Sequence, residues 1–116
     1  MKIQTGLLAF VFAIALAAPV AAQDAGGDAK AGKTLFLANG CYSCHGTVGQ
    51  GSPRTGPTLG HMELPFSVFA SRLRTPVNEM PPYTAKVLTY AQVGDIYAYL
   101  KSIPAAPDYK TIKLLQ

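Results

Sequence analysis

Only two of the 116 residues are cysteine, which allows one disulfide at most and excludes a small multi-disulfide scaffold. Acidic residues are scarce, six against ten Lys plus Arg, and the formal charge is a modest +4. A dedicated nucleic-acid binder shows a dense basic stripe, and none is present here. No stretch alternates apolar and polar residues over strand length, so a sheet is not expected. No internal repeat is visible. The long uncharged stretch Ile3 to Gln23 contains a strongly apolar run of about 13 residues, short of the roughly 20 needed to span a bilayer.

That stretch reads as a leader. Lys2 supplies a basic start, Gly6 to Ala18 an apolar centre, and Pro19-Val20-Ala21-Ala22 a small-residue exit. Cleavage after Ala22 puts Val20 and Ala22 at the two positions that need small side chains. Residues 1–22 are therefore expected to be a secretory signal peptide and residues 23–116 the mature domain, with no membrane span after cleavage. The mature part keeps ten of the eleven glycines and eight of the nine prolines. A domain of its size buries only a little over roughly 60% of its unfolded surface and is marginal unless something adds to the core. Two cysteines cannot staple much, so a cofactor is suspected before any motif is read.

The predicted class is all-α, with three to four short helices and long loops. A first helix is expected over Ala29 to Asn39, where Ala29, Gly32, Leu35 and Phe36 share a face. Asp28 is its candidate N-cap and Gly40 its candidate stop. Gly46, Gly49, Gly51, Pro53, Gly56, Pro57 and Gly60 follow, a density that predicts an ordered, wrapping loop. Pro65 to Thr75 reads as a second helix, with Pro65 in its first turn and Pro76 beyond its end. The third is the clearest: Thr89 and Gln92 form a capping-box pattern, and Val93, Ile96, Tyr97 and Leu100 follow at helical spacing.

Cys41-Tyr42-Ser43-Cys44-His45 is a C-x-x-C-H pattern, the attachment signature of c-type haem. Two thiols one helical turn apart can each form a thioether to one haem vinyl group, and the adjacent histidine then lies beneath the iron. Three other uses compete. A redox-active C-x-x-C needs a βαβ context, which is absent. A structural disulfide leaves His45 without a role. A zinc site would add His61, but adjacent Cys44 and His45 rarely serve one tetrahedral ion. For the sixth iron ligand the candidates are His61, Met62 and Met80. Met80 is favoured, because Pro81 and Pro82 stiffen the strap that would present its sulfur. A thioether favours ferrous iron and, with His45, fills both axial positions. Electron transfer is thus preferred over peroxidase or gas-sensor chemistry.

These residues make the mature chain similar to the class I cytochromes c in their small bacterial periplasmic form. The likeness runs from Gly32 and Phe36 through Gly40-Cys41-x-x-Cys44-His45, Gly56-Pro57-x-Leu59 and Met80-Pro81-Pro82 to Ile96-Tyr97-Ala98-Tyr99-Leu100. The resemblance implies one covalent haem c with iron ligands His45 and Met80. It implies that Gly32 and Phe36 meet Ile96 and Tyr99 where the terminal helices cross. It also implies that the Pro57 carbonyl accepts a hydrogen bond from His45, and that Leu59, Leu73 and Leu100 line the haem pocket. Tyr83 is expected to reach a propionate or to pack on the ligand strap. Arg72 and Arg74 are candidate propionate partners, with a solvated helix face as the plainer reading.

Tryptophan is absent and there is no dense lysine ring, unlike the mitochondrial type. Docking is therefore expected on an apolar patch around the haem edge. The implied role is a periplasmic one-electron carrier between a dehydrogenase or reductase and an oxidase or other acceptor, as a monomer or a subunit of a small complex. The alternative is a dedicated cytochrome subunit of a flavin-dependent or similar dehydrogenase. The apolar tail ending Ile112-Lys113-Leu114-Leu115 either packs on the body or meets a partner.

Overall fold

The computed structural model describes residues 26–116; the expected leader, 1–22, lies outside them. The described chain forms four α-helices: α1 (Ala29–Ala38), α2 (Tyr42–His45), α3 (Phe66–Arg74) and α4 (Tyr90–Ser102). Two short 3₁₀ turns, Tyr109–Thr111 and Lys113–Leu115, follow. Among the described residues there is no strand, only an isolated bridge between Ser52 and Gly56. The all-α expectation holds.

Each helix begins and ends for local reasons. Asp28 caps α1, its carboxylate accepting from the backbone N–H groups of Lys30 and Ala31 at 2.8 and 3.2 Å. At the other end Gly40 adopts φ +74°. Its N–H donates to the Leu37 carbonyl, and Cys41 N–H donates back to Phe36. This is a Schellman closure, which needs a residue free to enter the left-handed region. Pro65 is the N-cap of α3 rather than a member of its first turn, and the helix ends at Arg74. Thr89 and Gln92 form the expected capping box on α4, with reciprocal bonds of 3.2 and 2.9 Å.

The core forms where α1 crosses α4. A Cβ at Gly32 would collide with the Asp95 carbonyl, so the missing side chain sets the closeness of the crossing. Phe36 and Tyr99 pack across it with ring centroids 5.6 Å apart. Just before α1 the chain passes close over Gly94 of α4, and Asp28 N–H donates to the Asp95 carboxylate at 2.8 Å. On the other side of α4, Phe66 and Phe69 of α3 pack on Tyr97. Phe36, Leu88, Val93, Ile96 and Leu100 are essentially fully buried. The C-terminal tail leaves the body: Leu114 is 95% exposed and Leu115 64%.

Candidate functional site

The Schellman closure at Gly40 turns the chain straight into α2, a single helical turn that carries Cys44 and His45, with Cys41 as its N-cap. His45 N–H donates to the Cys41 carbonyl at 3.0 Å, so the two cysteines and the histidine are held by one turn of backbone. The Cys41 and Cys44 thiols are free, with Cys41 half-buried and Cys44 exposed. Burial pushes the Cys41 thiol up, and the Tyr83 hydroxyl beside it pulls part of the way back. Burial, and then Cys41 itself, push the Tyr83 phenol up. Both shifts keep these groups protonated at neutral pH.

His45 is buried at 8% exposure. Its Nδ1 lies 2.8 Å from the Pro57 carbonyl oxygen. A carbonyl oxygen can only accept, so Nδ1 carries the proton, which leaves Nε2 as the ring nitrogen able to ligate a metal. Gly56 makes room for this ring, since a Cβ there would come within 3.0 Å of Cε1. The wrapping loop is held by its own backbone. Gly51 N–H donates to His45, Leu59 and Gly60 N–H both donate to Gly49, and the Thr55 hydroxyl donates to the Cys44 carbonyl at 2.8 Å. Tyr99 reaches from α4 to the Thr47 carbonyl at 3.2 Å.

The three candidates for a second axial ligand are placed differently. His61 is exposed at the surface, its Nε2 3.5 Å from the Glu63 carboxylate. Met62 is buried in the core, and its N–H donates to the Leu100 carbonyl. Met80 is half-buried and packs against the core from the strap between α3 and α4, alongside Cys41, Leu59 and Tyr83. Leu73 and Leu100 belong to that same core, at 5% and 0% exposure. Among the described residues no three His, Cys, Asp or Glu side chains converge as a metal cluster, so the zinc set of Cys41, Cys44, His45 and His61 is not assembled.

Tyr83 ties the strap to two helix ends. Its hydroxyl donates to the Asn39 carbonyl at 3.0 Å. Its N–H donates to Leu73 at 2.8 Å, and Arg74 donates to its carbonyl. Arg74 is thus half-buried and engaged with the strap, whereas Arg72 stays on the exposed face of α3.

Sequence reasoning passed over Thr55, Asn39 and Leu88. Leu88 had a readable signal: it precedes the Thr89 cap, and Val93 occupies the matching staple position, both fully buried. Thr55 and Asn39 had none, because their partners lie 11 and 44 residues away.

The helical fold around a C-x-x-C-H turn defines a c-type cytochrome domain. The chain belongs to the family described as cytochrome c oxidase, cbb3-type, subunit III, whose model matches residues 27–100. No curated protein and no solved structure matches the chain significantly. Membership makes the protein a haem-based electron-transfer protein rather than a catalytic enzyme. No helix among the described residues is long and apolar enough to cross a membrane.

Proposed function

We propose that the chain is a periplasmic one-electron carrier with a single haem c, exported by residues 1–22 and cleaved after Ala22. Cys41 and Cys44 would hold the haem through two thioethers, and His45 and Met80 would be its iron ligands. The observation that carries this reading is the buried His45 ring, with Nδ1 committed to Pro57 and Nε2 left free for a metal. The donor set suits the group: two free thiols and one imidazole on a single turn, with a glycine cradle at Gly56.

When bound, the haem supplies an iron that gains or loses one electron. The chain's own residues do the rest. The Pro57 carbonyl fixes the orientation of His45 and raises its basicity. The Met80 thioether is a soft donor that favours the reduced state and raises the potential. With His45 and Met80 both on the iron, the protein would leave peroxide and oxygen no place to bind. Leu59, Leu73 and Leu100 supply an apolar wall that lowers the local dielectric, and the propionates bring the mature net charge of +3 to roughly +1. Long-range steering is then weak. The carrier meets its redox partners over a small interface, under about 1,200 Å².

A second reading is favoured by the family itself, whose description names a subunit of an oxidase. In it the domain is a fixed electron-entry subunit of a larger complex rather than a diffusing carrier. Size-exclusion chromatography of a native periplasmic extract separates the two. Elution at the size of the mature domain supports the carrier, and co-elution with an oxidoreductase overturns it. Haem itself is tested on a denaturing gel, where only covalently held haem stays with the polypeptide.

A further inference from the structure

The strap between α3 and α4, residues 75–89, carries Met80, and the fold anchors it at Tyr83. Three hydrogen bonds converge on that residue. Its N–H donates to the Leu73 carbonyl, one of the acceptors left orphaned where α3 ends. Pro76 lies just beyond, within the turn that would otherwise have supplied donors to those carbonyls, and it has no N–H to give. The Arg74 guanidinium donates to the Tyr83 carbonyl, and the Tyr83 hydroxyl donates to the Asn39 carbonyl at the end of α1, just before Cys41. One residue of the strap is thereby tied both to α3 and to the start of the C-x-x-C-H turn.

Met80 stands three residues before this anchor, with Pro81 and Pro82 between. Each proline ring locks its own φ near about −65°. The arm from Tyr83 back to Met80 is therefore stiff, at most about 11 Å long. On its far side Asn78 bends the chain at φ +58°. A ligand on a stiff arm is placed by the point where the arm is fixed.

We infer that Arg74 and Tyr83 are positioning residues, a latch that holds the Met80 thioether at the iron against competing ligands. This rests on the reading of Met80 as axial ligand. Neither residue touches the metal in this account; each acts by raising the free energy of the strap-open form. An external ligand binds only to that form, so its apparent affinity reports the latch directly.

The test is imidazole titration of the ferric holoprotein, followed by its visible spectrum. Loss of one neutral hydrogen bond should multiply the open population, and hence imidazole affinity, by about five. Tyr83→Phe, which keeps the ring, is expected to show this gain, and Arg74→Gln, which keeps a polar side chain but removes a charge-assisted bond, a gain of about tenfold or more. In a Met80→Ala background, where the strap offers no ligand, the same two substitutions should leave imidazole affinity unchanged. Unchanged affinity in the otherwise native protein overturns the latch. An equal gain in both backgrounds also overturns it, since that means a loosened pocket rather than a freed strap. If Met80→Ala itself leaves the ferric spectrum and imidazole affinity unaltered, the axial assignment fails and takes the latch with it. If Met80→Ala opens the iron and Tyr83→Phe does not, only the latch fails.

Discussion

At Gly56 the absence of a side chain decides how His45 is held. A methyl group there would press on the imidazole edge at about 3 Å from both Cε1 and Nδ1. Relief must come from the ring or from the loop, and either movement lengthens the bond to Pro57. Gly56→Ala is expected to cost about 1–3 kcal/mol in urea unfolding of the holoprotein. It should also speed solvent exchange of the His45 Nδ1 proton, followed by proton NMR. In the proposed ligation Met80 is the other residue on which the chemistry turns. Met80→Ala removes the soft donor, so the midpoint potential should fall and the reduced protein should bind CO. A potentiometric titration matching the native one, with a reduced spectrum indifferent to CO, would refute His/Met ligation.

The helices owe their limits to caps and their arrangement to one crossing. The α1–α4 contact depends on Gly32, where even a methyl group would collide with the Asp95 carbonyl. That neighbour is backbone within a buried helix and cannot rotate away. Gly32→Ala should therefore destabilise the protein by about 3 kcal/mol or slightly more, despite alanine's higher helix propensity. A urea midpoint equal to that of the native protein would show that the helices can part at no cost. Leu88 anchors the strap end of α4 and is fully buried. Leu88→Ala should cost about 2–5 kcal/mol by the same measurement, with the larger values expected if the stapled Val93 cannot move into the space.

For the molecule as a whole, the small core and the proposed cofactor are one problem. Leu73 and Leu100 lie in the core, and Leu59, Met80 and Cys41 pack against it; in the proposed reading the haem would share that wall. A ligand at free concentration L that binds only the folded chain stabilises it by RT ln(1 + L/Kd), and a covalently attached group stays bound at any concentration. With both Cys41 and Cys44 replaced by serine, the holoprotein should lose haem on a denaturing gel and unfold at lower urea. Haem stain retained by that double variant would exclude thioether attachment at these positions. The exposed tail, with Leu114 and Leu115 in solvent, takes no part in this core.

The features legible in the linear chain are those set by neighbours a turn or less apart. The Asp28 cap, the Gly40 stop, the Thr89–Gln92 box and the C-x-x-C-H turn each depend on contacts spanning at most five residues, and each stands where it was expected. The crossing of α1 and α4 and the Pro57 contact were reached through family likeness rather than from spacing. The partners of Tyr83 and Arg74 were not reached at all. A tyrosine hydroxyl finds whichever acceptor the folded chain brings near. Here that is Asn39, 44 residues away, because α1 and α3 leave bare carbonyls where the strap passes. Local geometry is written in the side chains themselves, whereas the pairing of distant orphaned groups exists only once the helices have packed.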